Sequence, residues 1–263
     1  MKEPTVRTVY YDDERTDDFA GVTRPPYEVP ASLDYAPRSF FRRAAAFFVY
    51  RCVMTPFAFL YMKIRFGYRL VRAAALPEKG RGFFLYANHT LLAGDAFSPS
   101  LAVFPRKVRM IVSPDNVALP ATRPFILLCG ALPLPSSLAG ARAFLSGLKT
   151  HLADGACVAL YPEAHVWPYC TAIRDFPDDA FRYPVKFGVP AYAATTTFSR
   201  RRFRRTPRVT VFLDGPFFPE GEDPRQAQKN LRDAVYRTIT ERAKESTWSP
   251  VRYEKRKKGE RAI

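Results

Sequence analysis

From residue 82 onward, short apolar runs alternate with amphipathic stretches, and few folds accommodate that order. "GFFLYAN", "KVRMIVS", "ACVALYPEA", "VPAYAATTTF" and "RVTVFLDGPF" have the length and the β-branched or aromatic content of strands. "LLAGDAFSPSLAVF" reads as a turn into a helix, and "TRPFILLCG" as a short helix before extended "ALPLP". "LAGARAFLSGLKTHLADG" has apolar residues at helical spacing and a terminal Gly, the pattern of a capped helix. "PRQAQKNLRDAVYRTITERAKES" is an amphipathic C-terminal helix. Strands alternating with helices predict an α/β domain with a mixed, largely parallel sheet flanked by helices. Sites in such sheets gather at the carboxyl ends of strands. His89 and Glu163 each follow a strand directly, so one crevice can hold both.

Ahead of this region lies "RRAAAFFVYRCVMTPFAFLYMKIR". Between Ala44 and Met62 its single charge is Arg51. The run approaches the roughly 20 residues that span a bilayer. Three features oppose a simple span: mid-run Arg51 is costly in hydrocarbon, Pro56 kinks a helix, and cations flank both ends (Arg42, Arg43, Lys63, Arg65) rather than one. A helix lying in the interface, or a re-entrant pair hinged at Pro56, fits better. A core helix of the soluble domain is the alternative.

Residues 1–36 are polar, partly acidic and Pro-rich, which predicts an extended arm and no signal peptide. The tail "RYEKRKKGER" reads as disordered. A formal charge of +16, from 41 Lys and Arg against 25 Asp and Glu, favours anionic partners. "SRRRFRRTPR" packs six arginines into ten residues and suits phospholipid headgroups or nucleic acid, with a solvated hairpin loop as the plain reading. Cys52, Cys129, Cys157 and Cys170 form no metal-ligand pattern and read as reduced thiols of a cytosolic protein.

The motif order resembles that of the glycerolipid acyltransferases, which include 1-acyl-glycerol-3-phosphate and lysophospholipid acyltransferases. Their first motif is Asn-His-x4-Asp; here "NHTLLAGD" puts five residues between His89 and Asp95. "CGALPLPSS" resembles the second block, with Ser136 where Arg is expected. "YPEAHV" keeps Pro162 and Glu163 of Phe-Pro-Glu-Gly-Thr-Arg but has Ala164, His165 and Val166 in place of Gly-Thr-Arg. "VKFGVPAYA" matches a later Lys-x-Gly and Val-Pro strand. The likeness covers roughly residues 76–215 and implies a divergent member. It divides the chain into an arm (1–36), a membrane-associated helical segment (37–75), an acyltransferase domain (76–248) and a basic tail (249–263).

The resemblance implies transfer of a fatty acyl group from acyl-CoA or acyl-carrier protein, as co-substrate, to a lysophospholipid or glycerol-phosphate-type hydroxyl. It implies no metal and no bound cofactor. An imidazole suits the general base at neutral pH, and a carboxylate fixes its tautomer; His89 and Asp95 are the candidates. On an ideal helix, residues six apart point about 120° away from each other, so Gly94 is expected to relax the backbone and return Asp95 to His89. The alternative for Asp95 is a helix N-cap. Backbone N–H groups after His89 are candidate oxyanion donors. Asn88, Glu163, His165, Arg142, Arg174 and Lys186 are candidate substrate-binding residues, Glu163 for an acceptor hydroxyl or to brace its loop, and the three cations for phosphate or mere solvation. His151 reads as structural. The implied partners are an anionic phospholipid membrane at its cytoplasmic face, an acyl thioester and a lysophospholipid-like acceptor, with no specific nucleic acid. A catalytically silent lipid- or RNA-binding module, or an acyltransferase for a glycolipid or another alcohol, remain the alternatives.

Overall fold

The structure, a computed structural model, describes residues 6–21, 25–37 and 39–256. In chain order its elements are β1 (Arg7–Tyr11), α1 (Phe40–Phe47), a π-helical segment (Phe48–Met54), α2 (Thr55–Phe66), β2 (Arg69–Arg72), β3 (Phe83–Ala87), α3 (Ala93–Ala102), β4 (Val108–Val112), α4 (Arg123–Leu128), β5 (Ala131–Pro133), α5 (Leu138–Ala153), β6 (Cys157–Leu160), α6 (Arg182–Phe187), β7 (Ala191–Ser199), β8 (Arg208–Phe217), α7 (Pro224–Ala243) and β9 (Val251–Lys255).

Seven strands form one sheet in the order β2-β8-β7-β3-β6-β4-β5. Every neighbouring pair is parallel except the β7–β8 hairpin. β3 and β6 are buried on both faces, and their unbroken apolar sequences reflect that. One face packs Ala58, Met62 and Phe66 of α2 against Phe83, Leu85, Ala159 and Val211. The other packs Phe144, Leu148 and Leu152 of α5 and Leu231, Val235 and Ile239 of α7 against Phe84, Tyr86 and Val158.

Residues 40–66 run as one 27-residue helix through Pro56, so the structure has no hinged pair there. Proline cannot donate the usual helical hydrogen bond. The wider π-helical turn just before it absorbs the mismatch, and the Thr55 hydroxyl donates to the Tyr50 carbonyl at 2.7 Å. Gly67, at φ 57°, ends the helix in the left-handed conformation that glycine tolerates. Arg51 turns towards the protein, donating to the Pro105 carbonyl at 2.6 Å with its guanidinium over Phe104. One side of α2 packs into the core, and β2, hidden in the sequence by its two arginines, joins the main sheet.

The described parts of the arm and tail are ordered as well. β1 and β9 pair in parallel, joining residues near the two ends of the chain. The expectation of a disordered tail is corrected up to residue 256, and residues 257–263 lie outside the described residues. Val29 and Tyr35 of the arm are buried in the core.

His151, buried on α5, lies with Nε2 2.9 Å from the Tyr35 carbonyl and so helps hold the arm. Burial, then nearby Arg109, lowers its pKa from 6.5 to about 4. The unfolded chain thus binds a proton in this window that the folded chain does not. Stability is expected to fall as pH drops from about 6.5 towards about 4. Urea unfolding across that range checks this; His151→Gln should flatten the slope.

Candidate active site

β3 delivers Asn88 and His89 to the carboxyl edge of the sheet. Asn88 is buried, and its side chain continues the β3–β7 pairing: Oδ1 accepts from Thr196 N at 2.7 Å and Nδ2 donates to Thr196 O at 3.1 Å. The structure thus gives Asn88 an anchoring role where substrate contact was expected.

After His89 the chain turns through Leu92, at φ 49°, into α3. Asp95 lies in the first turn of that helix, buried, with Oδ2 2.7 Å from His89 Nδ1 and accepting from Leu91 N at 2.7 Å. The ideal-helix obstacle does not arise, because His89 precedes the helix. The unusual backbone angle falls at Leu92, and not at Gly94, where the backbone was expected to relax. Gly94 serves a close approach: a Cβ there would sit 2.9 Å from the Leu91 Cβ. Asp95 is not the N-cap, which is Leu92; from the third position of α3 it meets His89 and reaches back to the Leu91 N–H ahead of the helix. The Leu91 N–H is thereby committed to Asp95 and is not a free oxyanion donor.

A carboxylate only accepts, so Nδ1 of His89 donates, and in the neutral ring this leaves the lone pair on Nε2. The His89 side chain is 21% exposed, against 2% for Asp95. Its ring stacks on Tyr161 at 4.3 Å between centroids and 19° between planes, and the Tyr161 hydroxyl donates to the Asp95 carbonyl at 2.6 Å. Burial, then Asp95, then Tyr68 raise the Tyr161 pKa well above its ordinary value. Tyr161 received no role from the sequence; its place just after a buried strand, beside Pro162 and Glu163, was the available signal.

Glu163 and Arg174 form a buried ion pair, Oε2 to Nη2 at 2.7 Å. Glu163 Oε2 also accepts from His89 N at 3.3 Å, and Arg174 donates to the His165 carbonyl and lies over Trp167. Burial raises the Glu163 pKa despite Arg174. These contacts brace the loop, one of the two roles expected of Glu163, while Glu163 Oε1 and Arg174 Nη1 are buried without a hydrogen-bond partner among the described residues. Ala164, at φ 63°, adopts a conformation natural to glycine. His165 lies with Nδ1 3.7 Å from Asp18 Oδ2, facing the arm.

The loop is also stitched to the site. Trp167 N donates to His89 O at 3.1 Å and Tyr169 N to Thr90 O at 2.8 Å. Tyr11, Phe19 and Tyr253 pack around Trp167, so both ends of the chain cover this loop. Two expected cations lie elsewhere. Lys186 is exposed in the last turn of α6, just before the amino end of β7 and hence at the opposite edge of the sheet from His89. Arg142 is exposed on α5 and makes no ion pair among the described residues.

No family model matches the chain, and no curated protein matches it. Among solved structures it is similar to the crystal structure of the 1-acyl-sn-glycerophosphate (LPA) acyltransferase, PlsC, from Thermotoga maritima, at 20% identity and a TM-score of 0.55. The match covers 82% of this chain and 87% of that one, and it shows a shared fold.

Proposed function

We propose that the chain is an O-acyltransferase. It moves a fatty acyl group from acyl-CoA or acyl-carrier protein to the hydroxyl of a lysophospholipid or glycerol-phosphate-type acceptor, at the cytoplasmic face of a membrane. The observation that carries this reading is the 2.7 Å contact between His89 Nδ1 and Asp95 Oδ2 at the carboxyl edge of the sheet. The fold shared with an LPA acyltransferase supports it.

In this mechanism Nε2 of His89 takes the proton of the acceptor hydroxyl as its oxygen attacks the thioester carbonyl. Asp95 holds Nδ1–H and stabilises the imidazolium. The tetrahedral intermediate collapses, the carbon–sulfur bond breaks, and the thiolate takes the proton back from Nε2. The products are an ester and a free thiol, and no enzyme-bound acyl group forms. The test is purified protein with mixed acyl-CoAs, acyl-carrier protein, and lysophospholipid, glycolipid and simple alcohol acceptors, read by thiol release and product mass spectrometry. A new acyl ester with stoichiometric thiol is the expected result; neither product from any pair rejects the reading.

The 40–66 helix supports the membrane placement. Phe41, Phe47, Phe48, Phe59 and Ile64 are exposed along it, while Ala58, Met62 and Phe66 hold its other side to the domain. A helix held to a globular body from Tyr50 to Phe66 lies in the interface more readily than across the bilayer. At its C-terminal end Arg201 donates to the Arg65 carbonyl at 3.0 Å, which brings the arginine-rich β7–β8 loop, with exposed Phe203, beside it. Binding to vesicles of anionic phospholipid is expected, weakening as salt rises. Phe41, Phe47, Phe48 and Phe59→Ser together, or Arg200, Arg202, Arg204 and Arg205→Gln together, should reduce vesicle co-sedimentation several-fold with the thermal midpoint little changed. Co-sedimentation unchanged in both variants would reject this surface.

A further inference from the structure

We infer that Tyr161 is a positioning residue that fixes both members of the His89–Asp95 pair against the sheet. The inference rests on the acyltransferase reading for its kinetic consequence and on geometry alone for the positioning.

Two chain segments must be brought into register for the pair to form. His89 stands at the end of β3, whereas Asp95 belongs to α3, and between them the backbone passes through a left-handed leucine. The turn is tied at Thr90 to the 167–170 loop and at Leu91 to Asp95, but a small rotation of the first turn of α3 would still break the 2.7 Å contact. Tyr161 directly follows β6, which pairs with β3, so it is referenced to the same rigid sheet as His89. Its ring lies flat beneath the imidazole, at 4.3 Å, and limits ring tilt. Its hydroxyl holds the Asp95 carbonyl at 2.6 Å and so fixes the peptide from which the carboxylate projects. One side chain therefore sets the angle of the imidazole and the position of its partner. The stacking requires only an aromatic ring; the bond to α3 requires the hydroxyl, so the two contributions are separable.

The test uses the full-length protein with ¹⁵N-labelled histidine. The wild type is expected to show a downfield Nδ1–H resonance from His89, identified by its loss in His89→Gln. Tyr161→Phe keeps the ring and should fold. It should broaden or lose this resonance and lower kcat on the order of tenfold, with both substrate KM values within about twofold. Tyr161→Leu, which loses ring and hydroxyl, should lower kcat further. A Tyr161→Phe protein that retains the resonance, or that turns over at the full rate, overturns the proposal. If the wild type transfers no acyl group to any acceptor, the acyltransferase reading fails, and the resonance alone still decides whether Tyr161 positions the pair.

Discussion

His89→Ala is expected to lower acyl transfer by on the order of 10²–10⁴-fold, the range typical for a lost positioned base, while leaving fold and donor binding largely intact. The side chain is partly exposed and contacts Asp95 and the stacked Tyr161 ring, so its removal leaves the core unchanged. Asp95→Asn should be almost as damaging, because an amide in contact with Nδ1 can donate to it and so favour the tautomer with the proton on Nε2, where the base is needed. Thiol release from the thioester, measured with matched circular dichroism, checks both. A robustly active His89→Ala enzyme would sink the mechanism. A robustly active Asp95→Asn enzyme would confine Asp95 to its helix-end bond with Leu91.

The largest effect on stability is expected from Arg174→Ala. Glu163 and Arg174 have side chains 4% and 3% exposed, so removing the guanidinium leaves a buried carboxylate without its counter-charge. Breaking such a pair costs about 3–5 kcal/mol, and at a few degrees per kcal/mol this lowers the melting temperature by roughly 6–20 °C. Glu163→Gln combined with Arg174→Met should recover much of the loss, since glutamine still accepts from His89 N and no charge remains buried. Urea unfolding of the single and double variants measures this. A single variant within about 1 kcal/mol of wild type would show that the pair holds little.

His89 and Glu163 were legible because each follows an apolar run long enough for a buried strand, and a parallel sheet places such residues along one edge. The contact of His89 with Asp95 was suggested by a motif, but the turn that makes it was misplaced: Leu92 carries the unusual backbone and Gly94 the close approach. Asn88, Glu163 and Arg174 were expected to bind substrate, and their partners within the fold are Thr196, each other and the loop backbone. A polar side chain in sequence shows its hydrogen-bonding capacity and not which group satisfies it.

The sequence by itself determined the α/β class, the main strands and helices, and the sheet edge that His89 and Glu163 share. Each of these follows from periodic burial over a few neighbouring residues. Tertiary structure alone decided that "RLVR" is a sheet strand, that a π-helical turn before Pro56 lets the helix run on through it, and that β1 meets β9, where Arg256 pairs with Asp12 across 244 residues of chain. It likewise decided that Tyr161 lies beneath His89. These are pairings between distant segments, whose stability depends on geometry set by everything packed between them and leaves no local period to read.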